Sequence, residues 1–149
     1  MKKTVMFLGA LLISLVAVAF DPMPDKVPVP ADNPMTKEKI DLGKKLYFDK
    51  RLSKNNAVSC KTCHNVMGSG TDNLPVATGI NVLKGDRNSP TVWNAAFHSV
   101  QFWDGRAATL EDQAKGPIIN PIEMGMPDHE TIVRKIQGIA PNRFAFFPN

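Results

Sequence analysis

Apolar residues fall along this chain in one dense block, followed by short and sparsely periodic groups. Residues 5–18 are apolar almost without interruption, and no such block recurs further on. Over residues 20–35 five prolines, Pro22, Pro24, Pro28, Pro30 and Pro34, predict a stiff, extended leader that acts as a tether and packs poorly. Residues 36–49 set Ile40, Leu42, Leu46 and Tyr47 among charged positions, which predicts a helix capped by Thr36. From Met67 to about Thr91 the chain is rich in Gly, Pro, Asn and Asp and has no helical or strand period, so a long loop is expected. Thr109-Leu110-Glu111-Asp112 has the form of a capping box opening a short helix, which Gly116-Pro117 should stop. The last helix should begin at Asp128, carry Ile132, Val133 and Ile136 on one face, and end at Gly138. No alternating run is long enough for a strand, and the expected fold class is all-α with long irregular loops.

The dense N-terminal block has the order of a signal peptide: Lys2 and Lys3, an apolar centre, then Ala17-Val18-Ala19 before Phe20. A spanning helix needs ~20 apolar residues, and Thr4 to Phe20 falls slightly short. Cleavage after Ala19 is therefore preferred over an uncleaved anchor, making 1–19 the signal peptide and placing the protein in the periplasm. The whole chain of 149 residues carries 18 basic and 14 acidic side chains, a net +4. Without Lys2 and Lys3 the basic side chains fall to 16 and the net charge to +2. Neither value comes with a basic run, and a nucleic-acid partner is not expected.

Export changes how the two cysteines are read. An oxidising compartment favours disulfides, but Cys60 and Cys63 are too close in sequence to staple distant segments. They lie in Cys60-Lys61-Thr62-Cys63-His64, the spacing of covalent c-type haem attachment. On one helical turn residues i and i+3 share a face, so both thiols can meet the two vinyl groups of one haem. His64 then offers its imidazole to the iron. Chance would produce this arrangement in roughly one chain of 3000. A thioredoxin-type dithiol would want a strand–helix–strand context, and zinc would want four ligands at paired spacings, which His98 and His129 do not form. A helix is expected to hold the motif, and the fold becomes a cytochrome c-like helical haem domain over residues 36–149 with one covalent haem c.

A haem alone leaves two function classes open. A mono-haem electron-transfer cytochrome fills the second axial position, for which Met67, Met124, Met126 and His98 are the candidates. A peroxidase keeps that side open and surrounds it with groups that move protons.

The chain resembles the bacterial di-haem cytochrome c peroxidases and their methylamine-utilisation relatives across roughly residues 36 to 140. The resemblance rests on Asp41-Leu-Gly-Lys-Lys-Leu-Tyr-Phe-Asp-Lys-Arg-Leu-Ser53, Ser59-Cys-Lys-Thr-Cys-His-Asn65, Arg87-Asn-Ser-Pro-Thr-Val92 and Asn94-Ala-Ala-Phe97. It continues through Gln101-Phe-Trp-Asp-Gly-Arg-Ala107, Leu110-Glu-Asp-Gln-Ala114, Gly116-Pro117 and Glu123-Met124. It implies the N-terminal, peroxide-reducing domain, with hydrogen peroxide as substrate and a small cytochrome c or cupredoxin as electron donor. By the same resemblance Glu123 is the catalytic proton carrier and Gln113 the amide that positions peroxide. Gly116-Pro117 is expected to turn the chain back so that both face one ligand. Trp103 matches the tryptophan on the electron path between two haems, and Asn88 matches a ligand of a calcium ion.

Each of these roles has a plainer counterpart. Without the family, Glu123 reads more often as a solvated carboxylate, Trp103 and Trp93 can be core aromatics, and Asp104 with Arg106 a structural pair. Two departures from the family pattern carry expectations of their own. Where many members have a histidine that blocks the iron, Thr78-Gly79-Ile80 carries Ile80, which cannot ligate, so an open distal site is expected. The chain also holds a single Cys-x-x-Cys-His. The family's second haem domain is thus expected to be absent, with a homodimer or a separate haem-domain partner in its place, or with the chain an inactive truncated fragment.

Overall fold

The computed structural model describes residues 22–139, and the expected signal peptide at 1–19 lies outside them. Among the described residues four α-helices form the frame: α1 (Lys37–Phe48), α2 (Cys60–Cys63), α3 (Leu110–Ile119) and α4 (His129–Ile139), with short 3-10 turns between them. Among the described residues there is no β-strand, only two isolated antiparallel bridges, Thr78 with Lys84 and Gln101 with Ala107. The fold is all-α. No helix among the described residues is long and apolar enough to cross a membrane.

Local chemistry sets the helix starts. The Thr36 hydroxyl accepts from the Lys39 amide at 3.3 Å, and the Thr109 hydroxyl accepts from the Asp112 amide at 3.1 Å. Each satisfies an amide that the first turn leaves without a partner. Asp128 caps α4 in the same way, its carboxylate taking the Thr131 amide. The leader is less detached than its prolines suggest. Asn33 donates to Glu111 of α3 at 3.0 Å and accepts from Lys39 of α1 at 2.9 Å, tying residues before α1 to both helices.

Two expected boundaries move. Gly116-Pro117 does not stop α3, which runs on to Ile119. Proline withholds its own amide from the ladder, and the Asn120 amide still closes the last turn on the Gly116 carbonyl at 3.1 Å. The chain therefore reverses later, over Asn120 to Gly125. Nor does Gly138 end α4, which extends to Ile139. On α4, Ile132 and Ile136 are buried while Val133 is half exposed, because a step of one residue turns about 100° away from the i, i+4 face.

The core draws on separate segments: Leu52 and Val58 before the haem motif, Ile80 from the long loop, Met124 and Met126 from the turn after α3, and Ile132 and Ile136 of α4. Backbone hydrogen bonds fix the turn after α3 on three sides. The Lys54 amide donates to Met124 O at 2.8 Å, the Ile80 amide to Glu123 O at 2.9 Å, and the Met126 amide to Ile118 O at 2.9 Å. This clamp carries Glu123 to the loop that follows the cysteine motif.

Candidate functional site

Cys60 to Cys63 form a single helical turn, shorter than the helix expected there. The Ser59 amide donates to the Thr62 hydroxyl at 3.0 Å and the His64 amide to Cys60 O at 2.9 Å, so the turn is closed at both ends. Beyond it, Asn65 O accepts the Gly68 and Gly70 amides, each at 3.0 Å, and the chain leaves the helix. Both thiols are free and half-buried, and burial pushes each above its ordinary pKa. The Cys63 thiol is raised further by the charges of Asp72 and Glu123, and its sulfur lies 3.7 Å from Thr78 O.

His64 is held as a ligand needs to be. Its Nδ1 lies 3.0 Å from Pro90 O, an oxygen that can only accept, so Nδ1 carries the proton and Nε2 keeps a lone pair. Burial lowers the ring's pKa and favours the neutral form that binds metal. From the other side, the Tyr47 hydroxyl of α1 donates to His64 O at 2.5 Å. Two adjacent free thiols and an oriented neutral imidazole fit the donor set of a c-type haem.

Glu123 is joined to this motif through Thr78-Gly79-Ile80. Thr78 O receives the Cys63 thiol and the Ile80 amide binds Glu123 O. Between them Gly79 packs so tightly on the turn that a Cβ there would lie 1.9 Å from Ile122 O. Ile80 itself points into the core at 5% exposure. The Glu123 side chain is half-buried and lines a cleft of about 550 Å³ with Phe102, Arg106, Asp112, Pro117 and Asn120. Burial raises its pKa, and the Arg106 guanidinium partly opposes the rise. Arg106 sits 3.4 Å above the Phe102 ring and pairs with Asp104 at 2.8 Å. Asp104 also takes Arg87 at 2.9 Å, and these two partners hold its pKa at about 2.

The other predicted residues are more scattered. Gln113 is half-buried on α3, but its neighbours Asp112 and Gly116, not Gln113, line the cleft with Glu123. Trp103 is 61% exposed and its Nε1 donates to Asn88 O at 3.0 Å, while Trp93 is 53% exposed. Neither tryptophan is a core aromatic. Asn88 is exposed, and among the described residues no group of three His, Cys, Asp or Glu side chains is placed to hold a metal ion. Met124 and Met126 are core residues, whereas Met67 and His98 are exposed.

Three contributors were not legible as site residues. Pro90 acts through a carbonyl that any residue possesses. Gly79 acts through a close approach between segments far apart in sequence. Asn120, which donates to Glu123 Oε1 at 2.9 Å, carried only the turn signal of Asn-Pro.

The sequence profile of the family described as di-haem cytochrome c peroxidase matches residues 37–146. The cytochrome c551 peroxidase of Pseudomonas aeruginosa is 52% identical over 105 residues, covering 70% of this chain and 30% of that protein. The cytochrome c peroxidase Ccp of Escherichia coli is 44% identical over 74% of this chain and 24% of its own length. The methylamine utilization protein MauG of Methylorubrum extorquens is 43% identical over 78% of this chain and 33% of its own. The chain thus spans between a quarter and a third of the length of these relatives. Among solved structures, a MauG-like protein associated with microbial copper homeostasis superposes with a TM-score of 0.69 at 36% identity, over 80% of this chain and 37% of that one.

Proposed function

The chain belongs to the di-haem cytochrome c peroxidase family, and from that membership we propose that residues 36–149 form a cytochrome c-like, peroxidatic haem domain acting in the periplasm. Hydrogen peroxide is its substrate and a small redox protein, a cytochrome c or a cupredoxin, its electron donor. Cys60 and Cys63 would hold haem c covalently, and His64 would bind its iron through Nε2. When bound, that group supplies the redox centre for the reduction.

The observation that carries this reading is the position of Glu123, a half-buried carboxylate lining a cleft and tied by residues 78–80 to the cysteine motif. Reducing hydrogen peroxide to two waters consumes two electrons and two protons, and the departing oxygen must be protonated as the O–O bond breaks. Ionised Glu123 takes a proton from one peroxide oxygen and returns it to the other. Its raised pKa brings it nearer the working pH, where a carboxyl both accepts and gives a proton with ease. The Arg106 guanidinium opposes part of that rise. Of the ligands an electron carrier could use, Met124 and Met126 are committed to the core.

The test is haem-matured protein mixed rapidly with peroxide and a reduced cytochrome c. Turnover is expected, and Glu123→Gln should lower it by about 10²- to 10⁴-fold. Equal turnover by the variant would remove Glu123 from the mechanism.

A further inference from the structure

Asn120 occupies a junction that the peroxidase chemistry as described does not use. Its backbone amide closes α3 on Gly116 O at 3.1 Å, and its own carbonyl accepts the Glu123 and Gly125 amides at 3.1 and 2.8 Å. The side chain works in two directions. Oδ1 accepts the Ile122 amide at 2.9 Å, which fixes the rotation of the amide group, and Nδ2 donates to Glu123 Oε1 at 2.9 Å. Glu123 Oε2 has no hydrogen-bond partner among the described residues. One residue thus ends the helix, shapes the turn and grips one oxygen of the carboxylate at its far end.

We propose that Asn120 is a positioning residue that locks one carboxylate oxygen of Glu123 and leaves the other to exchange protons in the cleft. This inference rests on the peroxidatic reading of Glu123. A carboxylate pinned through one oxygen presents its other oxygen in a fixed orientation, whereas an unpinned one samples rotamers and must be ordered again at each turnover. The amide can only donate to Oε1, so it favours the ionised carboxylate and opposes the effect of burial. Around Glu123, the Arg106 guanidinium from the loop before α3 lowers its pKa, Asp112 of α3 lines the same cleft, and the Cys63 thiol of α2 is itself raised by the Glu123 charge.

The experiment is an isotope-edited infrared titration of the Glu123 carboxyl in haem-loaded protein, its band assigned by its loss in Glu123→Gln. In Asn120→Ser a hydroxyl can still accept the Ile122 amide but cannot reach Oε1. The Glu123 titration should move upward by about one pH unit, with the carboxylate band broadened by rotamer freedom. In Asn120→Asp the turn acceptor is kept and a like charge replaces the donor, so the upward shift should be larger while the melting temperature stays near that of the unaltered chain. A titration unmoved in Asn120→Ser overturns the proposal. Should that variant not fold, an unmoved titration in Asn120→Asp overturns it equally, since a like charge at hydrogen-bond distance must be felt. If Glu123→Gln turns over peroxide normally while these shifts appear, the peroxidatic reading falls and the positioning of the carboxylate stands.

Discussion

Two single residues, Glu123 and Gly79, decide whether the site forms and how it behaves with pH. A half-buried carboxyl whose pKa is raised by burial binds its proton more readily in the folded than in the unfolded chain. Its contribution to stability is present below the unfolded value near 4.5 and is lost as pH rises through the folded value. Glu123→Gln cannot titrate, so between pH 4 and 7 its thermal midpoint should rise relative to the unaltered chain even as turnover collapses; parallel melts at the two pH values check this. On the proposed peroxidatic reading, the acid limb of the unaltered chain's rate profile should lie above the ordinary carboxylate value, and that limb should vanish in the variant. Gly79 is required for space rather than for conformation, since its φ of −99° is open to any residue. Gly79→Ala drives a methyl into Ile122 O and the Glu123 backbone, and a loss of about 1–3 kcal/mol is expected in urea unfolding. Gly43→Ala on exposed α1, where a Cβ meets nothing within 4 Å, should gain about 0.5–1 kcal/mol. The motif cysteines and His64 could be read from sequence because their chemistry is local. Gly79 could not, because its constraint is a contact between two segments that no local pattern encodes.

Individual helices were legible where capping and periodicity act within a few residues. Thr36, Thr109 and Asp128 each stand at the helix start their side chains predict, and all three accept the expected backbone amide. The ends were harder. A Gly-Pro pair reads as a stop, yet α3 passes through it because a single lost amide is tolerated near a C-terminus where Asn120 closes the turn. That difference moves the reversal of the chain to Asn120–Gly125 and so determines which residues meet Glu123. On α4 the sequence grouped Val133 with Ile132 and Ile136, but only the i, i+4 pair reaches the core. The energetic consequence is sharp: Ile136→Ala should cost about 2–5 kcal/mol, through lost burial and the cavity left behind. Val133→Ala, at 50% exposure, should stay within about 0.5 kcal/mol, and chemical denaturation of the two variants side by side separates them.

At the scale of the whole molecule, the core is assembled from short pieces of chain that no single element brings together. Leu52, Val58, Ile80, Met124, Met126, Ile132 and Ile136 come from stretches separated by loops, and α1, the longest helix among the described residues, buries none of its residues fully. Irregularity of the long loop was predictable from its composition. Its anchoring was not, because Ile80 reaches the core and Pro90 reaches His64 through tertiary contacts that periodicity cannot register. The same arrangement makes stability depend on the cysteine motif. His64 is tied to α1 through Tyr47 and to the long loop through Pro90, so fixing its Nε2 on a metal restrains three segments at once. A group bound by the folded chain and not by the unfolded one stabilises by its binding free energy. Haem-loaded protein should therefore melt above a Cys60→Ala/Cys63→Ala chain by about 10 °C, on the usual scaling of a few degrees per kcal/mol at this size. Tyr47→Phe removes the hydroxyl that holds His64 O and should narrow the gap, since α1 is then no longer tied to His64. Equal midpoints for the loaded chain and the double variant would mean that residues 22–139 reach their stability without the motif, and that the contacts around His64 serve chemistry alone.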